Sequence, residues 1–238
     1  MTSSEAKPGS GADRTRLPLL LVLGFGVFVV AAFAVALAMN GDGDSSDGGV
    51  PDASQTGGAV DDGPQPEVSA VEVIGDSLAA MPQTGPVTDA STDPAVGTVA
   101  PAVTGTDFAG RSVTIEGDGT PKVVMFLAHW CPHCQRELPL VVDLIEEGKL
   151  PDGLEIYAVS TAVAEGQPNY PPSAWFADEN WTGLALRDSA AADALLAYGG
   201  GGFPFVVYLD GDNTVLARSA GELEADTIEQ LWLATAQS

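Results

Sequence analysis

The chain has 238 residues and 45% of them are hydrophobic, enough for a packed core and too many for a chain disordered throughout. Its formal net charge is −24, with 33 acidic against 9 basic residues, which disfavours binding to nucleic acid and to anionic lipid surfaces. Only two cysteines occur, three positions apart, which excludes a secreted disulfide scaffold and a lipid-modified cysteine near the N-terminus.

Residues 1–16 form a polar N-terminal tail holding Lys7, Arg14 and Arg16. Residues 17–39 carry no charge, and at about 1.5 Å per residue a helix of this length crosses a hydrocarbon core of about 30 Å. Basic residues precede this apolar segment, and Asp42, Asp44 and Asp47 follow it. The positive-inside rule then predicts a single-pass membrane anchor with a cytoplasmic N-terminus and the rest of the chain outside. Ala36-Leu37-Ala38 offers a competing reading as a signal-peptide cleavage site, but the apolar stretch exceeds the usual signal core of about 7–15 residues.

Residues 40–93 are rich in Gly, Asp, Ser, Pro and Thr, without Lys or Arg. The composition predicts an extended, self-repelling, disordered linker, with a short strand within 71–78. Residues 94–238 read as a globular domain. A nearly continuous apolar run over 122–128 predicts a strand buried on both faces. Leu138, Val141, Val142 and Ile145 then recur at helical spacing up to Gly148, and 154–159 reads as a second buried strand. Residues 164–180, with three prolines, read as an inserted loop and helix, Trp175, Phe176 and Trp181 serving its packing. A helix capped by Ser189 ends at Gly199; 205–209 and 214–218 flank a hairpin turn at 210–213; Ile228, Leu231 and Trp232 line a last helix. The pattern is an α/β fold, with a central mixed sheet flanked by helices.

Trp130-Cys131-Pro132-His133-Cys134 sits where the first buried strand turns into a helix. Free N–H groups and the macrodipole at a helix N-terminus stabilise an anion, which favours the reactive thiolate of Cys131. Cys134, one turn on, is placed to attack a mixed disulfide formed at Cys131, and a protonated His133 would support the thiolate further. A C-x-x-C pair is also half a zinc site, but the only histidines, His129 and His133, crowd beside the cysteines. Gln135 stands where a c-type haem would need His. No metal and no organic cofactor are expected: the two sulfurs carry the electrons.

The segment 123–139, VVMFLAHWCPHCQRELP, resembles the active-site segment of the thioredoxin superfamily, most closely its membrane-tethered TlpA/DsbE-like branch. The resemblance extends over 94–232. Pro139 matches the family's helix-kinking proline, and Gly202-Phe203-Pro204-Phe205 resembles its cis-proline loop, which offers backbone groups to a substrate chain in a form of β-augmentation. The resemblance implies thiol–disulfide exchange on exported proteins, with a membrane redox partner, and substrate contacts at Phe203 and Pro204; Trp130 either shields the disulfide and contacts substrate or simply packs. Two departures stand out. Met125 replaces the buried aspartate that moves protons in thioredoxin, so Glu137, which shares a helical face with Cys134, becomes the candidate proton acceptor. Phe205 replaces a threonine common among relatives.

The direction of exchange stays open. The TlpA/DsbE-like likeness points to a reductant, whereas Cys-Pro-His-Cys matches the oxidising DsbA-like pattern, so a potential above thioredoxin's is expected. Rival functions are a DsbA-like oxidase introducing disulfides, a metal or copper-delivery module using the Cys/His cluster, a peroxidase, and a non-catalytic scaffold. Ala128, three before Cys131, counts against the peroxidase, which needs Thr or Ser there.

Overall fold

The computed structural model describes residues 66–83 and 85–238. The sheet is built around β5 (Lys122–Leu127), whose six residues are all buried. Val124 and Phe126 enter one core, while Val123, Met125 and Leu127 enter the other, so the strand must be apolar on both faces. β6 (Glu155–Ser160) runs parallel to it on one side and β8 (Phe205–Leu209) antiparallel on the other.

The remaining strands are β1 (Glu72–Ile74), β2 (Val87–Thr88), β3 (Ala102–Thr106), β4 (Ser112–Ile115), β7 (Leu184–Arg187) and β9 (Val215–Ala220). They complete a mixed sheet in the order β1-β3-β7-β6-β5-β8-β9-β2, with β4 paired to β3. On one face α1 (Pro132–Glu146), α2 (Pro172–Asp178) and α4 (Ala225–Ala236) contribute Leu138, Val141, Trp175, Phe176, Ile228 and Trp232 to a core. On the other face α3 (Asp193–Ala197) packs Ala194, Leu195 and Ala197 with Val103, Val113 and Ile115. This is the expected α/β arrangement of a central mixed sheet flanked by helices.

Four strands go beyond the reading of the sequence. β2 lies in the expected linker, β3 and β4 form a hairpin, and β7 follows the insert helix; each is short, and β3, β4 and β7 are interrupted by small or polar residues. α3 starts later than Ser189. Its first N–H groups are met by the Asp188 carboxylate, which accepts from Ala194 and Leu195, while Ser189 Oγ accepts from Asp193 N–H.

The boundary at 93/94 needs correction. The described part of the expected linker, 66–83 and 85–93, belongs to the fold. β1 pairs with β3 and β2 with β9. Leu78 and Met81 are buried, their N–H groups donating to the carbonyls of Ala197 (2.8 Å) and Gly199 (2.9 Å). Gly199 lies at φ +73, and a Cβ there would collide with the Ala79 carbonyl, so the close approach of this segment demands glycine. Asp93 pairs with Arg218 at 2.5 Å, both side chains fully buried, and Arg218 also donates to the carbonyls of Ala79 and Tyr198. A polar segment thus joins the domain because the sheet edges and one buried arginine satisfy its polar groups. The predicted tail 1–16, the membrane anchor 17–39 and the linker residues 40–65 lie outside the described residues.

Candidate thiol–disulfide site

β5 ends at Leu127, and a tight turn delivers the chain into α1. The turn is closed by the Cys131 N–H on the Ala128 carbonyl (2.9 Å). Cys131 occupies the N-cap with extended backbone, Pro132 opens the helix, and no side chain caps its free N–H groups. Cys131 therefore stands at the positive end of the helix dipole, as expected. It is 7% exposed and Cys134 is fully buried; both are free thiols. The pair thus has an outer sulfur that a partner can reach and an inner one that it cannot. Burial, with Cys131 and Glu137 as close neighbours, drives the Cys134 thiol far above the ordinary range, so it must be deprotonated before it can attack.

Glu137 stands behind Cys134 at 2% exposure. Burial pushes its carboxyl up to about 7, against the opposing effect of the hydrogen bond it accepts from Leu223 N–H at 2.8 Å. A carboxyl poised near neutrality beside a thiol that must lose a proton suits proton transfer. Met125, at the position of thioredoxin's buried aspartate, is buried and apolar, so it cannot take that role.

The Phe203–Pro204 peptide is cis, as the resemblance implied, and its loop runs beside the outer sulfur. Cys131 Sγ lies 3.7 Å from the Phe203 carbonyl oxygen. Trp130 donates its indole N–H to the Ala162 carbonyl (2.8 Å) and meets Phe203 edge-on, ring centroids 5.9 Å apart. Trp130, Phe203 and Pro204 are thereby gathered around Cys131.

His133 is turned otherwise than expected. Its Nδ1 lies 3.0 Å from the Glu222 carboxylate and 2.8 Å from Arg136 Nη2, on the exposed side of the helix. Arg136 and Glu222 were not singled out in the sequence. The only signal for Arg136 was its place on the first turns of α1, and Glu222 is one acid among many.

His129 also carries more than its sequence suggested. It is buried, with Nδ1 2.7 Å from the Pro168 carbonyl and Nε2 accepting from Ala164 N–H at 3.2 Å. Since a carbonyl can only accept, Nδ1 carries the proton and Nε2 the lone pair. The ring fastens the insert 164–180 to the active-site turn. A metal would have to displace those bonds, and among the described residues no three His, Cys, Asp or Glu side chains cluster as ligands. A cleft of about 740 Å³ beside α2, lined by Phe108, Arg111, Phe176 and Trp181 among others, contains neither cysteine.

The AhpC/TSA family profile matches residues 96–218, which include both cysteines and Pro204. The chain is similar to the methylamine utilization protein MauD of Paracoccus denitrificans, 29% identical over 128 residues, which cover 52% of this chain and 58% of that protein. It thus spans less than two thirds of that relative's length. Among solved structures, a DsbF homologue from Corynebacterium diphtheriae superimposes with a TM-score of 0.54 at 15% identity, covering 67% of this chain and 99% of that one, a likeness of fold. The thioredoxin domain of a thiol-disulfide oxidoreductase from Bacteroides vulgatus matches at 26% identity and a TM-score of 0.48, covering 60% of this chain and 98% of that one. With the family profile spanning more than half of its length, the chain belongs to the AhpC/TSA family, on a thioredoxin-like fold.

Proposed function

We propose that the protein is a TlpA/DsbE-like thiol–disulfide oxidoreductase acting outside the cytoplasm on exported proteins through Cys131 and Cys134, held at the membrane by residues 17–39. The observation that carries this reading is the asymmetry of the pair. Cys131 stands at the N-terminus of α1 beside the cis-Pro204 loop, while Cys134 is buried with Glu137 behind it.

In the reducing direction the Cys131 thiolate attacks a substrate disulfide. One substrate sulfur leaves as a thiolate, which takes a proton from water, and a mixed disulfide forms. Cys134 loses its proton to Glu137 and attacks the Cys131 sulfur, releasing the second substrate sulfur as a thiolate that is likewise protonated, and leaving Cys131–Cys134 oxidised. A membrane redox partner then returns two electrons. The oxidising direction runs the same steps backwards. The Pro132–His133 dipeptide favours a potential above thioredoxin's, which keeps a DsbA-like oxidase as the second reading. Substrate chains dock along Trp130, Phe203 and Pro204.

Equilibrating the purified protein with glutathione mixtures and counting free thiols tests the reading. Cys131 and Cys134 should convert together in one two-electron transition, at a potential above thioredoxin's. Thiols that fail to convert, or convert independently, refute exchange; a potential at or below thioredoxin's refutes the oxidising character alone.

A further inference from the structure

The turn that joins β9 to α4 touches three parts of the thiol site. Gly221 N–H donates to the Pro204 carbonyl at 2.9 Å. Leu223 N–H donates to the buried Glu137 carboxylate at 2.8 Å. Between them Glu222 faces α1 and accepts from Arg136 Nε at 3.0 Å and Arg136 Nη2 at 2.6 Å, with His133 Nδ1 3.0 Å from the same carboxylate. The Arg136 side chain is about half exposed and that of Glu222 about one third, so neither is held in place by packing alone.

These bonds from Arg136 and His133 hold the Glu222 carboxyl down to about 2, so it is ionised at any pH at which exchange runs. Arg136 Nη2 lies 2.8 Å from Nδ1 of His133, the residue just before Cys134 in the turn that carries the thiol pair. An isolated cation at that turn would favour the reduced pair, the form able to carry negative charge. The Glu222 anion sits directly on that cation and offsets part of its field. Exchange itself does not require a carboxylate at this place.

We infer that Glu222 and Arg136 form a positioning ion pair that sets the dithiol–disulfide equilibrium of Cys131 and Cys134, Arg136 supplying positive charge at the turn that carries them and Glu222 limiting it. The inference rests on the exchange reading above. In the equilibrium that reports it, two glutathione thiols give up two electrons and two protons and become one glutathione disulfide. The Cys131–Cys134 disulfide takes up both and becomes two thiols.

The test uses the full chain in mild detergent, with Glu222→Gln, Arg136→Gln and the double variant, each equilibrated with glutathione. For partly exposed charges the expected displacement is roughly two- to fivefold in the equilibrium constant. Glu222→Gln should move the balance toward the dithiol and Arg136→Gln toward the disulfide. The double variant should return to within about twofold of the parent, the lower edge of that range, and high salt should compress both single shifts. Arg136→Lys, which keeps the charge, should stay close to the parent. A purely structural clamp would shift both single variants the same way, because either loss loosens the same turn. Shifts in one direction, or none beyond twofold, overturn the inference while leaving the exchange reading intact. A parent protein that does not equilibrate with glutathione overturns both.

Discussion

Replacing Glu137 by Gln isolates the ionisation of one buried carboxyl while keeping an oxygen that can accept the Leu223 N–H. The native carboxyl is held up at about 7 against an ordinary value of 4.5, chiefly by burial. The folded protein therefore binds this proton more tightly than the unfolded chain. Stability contributed by the group is fully present below about pH 4.5 and is lost as pH rises through about 7. A displacement of this size corresponds to about 3 kcal/mol, an upper value for a single group. Urea unfolding at acid and alkaline pH should show Glu137→Gln gaining up to about that much on the parent between the two conditions. In exchange assays the parent rate should rise through about pH 7 as the carboxyl ionises and becomes able to take the Cys134 proton. The variant should lose that inflection and slow by about 100-fold or more where resolution by Cys134 limits turnover. Parallel stability curves for the two proteins, together with an unchanged pH–rate profile, would refute the proton-transfer role and the burial argument beneath it.

Breaking the buried Asp93–Arg218 pair with Arg218→Met leaves Asp93 uncompensated and should cost about 3–5 kcal/mol in unfolding free energy. A chain starting at residue 66 should unfold cooperatively, whereas one starting at 94 should lose β1, β2 and Asp93 and melt well below it. His129→Leu removes both bonds to the insert and should cost about 1–3 kcal/mol, with faster limited proteolysis within 162–171. Peroxide consumption by the reduced protein should stay slow, because Ala128 offers no hydroxyl beside Cys131; rapid consumption would revive the peroxidase reading.

The thiol site was legible because local sequence specifies it. A strand covered on both faces announces itself by an unbroken apolar run, and a C-x-x-C directly after it can hardly avoid the helix N-terminus. Glu137 was legible through its three-residue offset from Cys134 once the family resemblance set Met125 in place of the aspartate, and Pro204 through the likeness of Gly202-Phe203-Pro204-Phe205 to the family's cis-proline loop. What was missed depends on partners remote in the chain. Asp93 looked like linker until Arg218, 125 residues away, was found against it. Leu78 and Met81 are isolated apolar residues whose burial depends on the far end of α3. Glu222 is one of 33 acidic residues, and nothing in its neighbours says that it reaches Arg136 from 86 positions off. His129 read as a possible ligand because its partners, Ala164 and Pro168, lie in an insert without a periodic pattern.

The most direct test of the central claim is trapping in the cell. Cys134→Ser should accumulate mixed disulfides between Cys131 and exported proteins, visible after acid quenching and alkylation and lost on reduction. Cys131→Ser should accumulate none. Equal capture by both variants, or by neither, would contradict the assignment of Cys131 as the outer nucleophile and Cys134 as the thiol that resolves its disulfides.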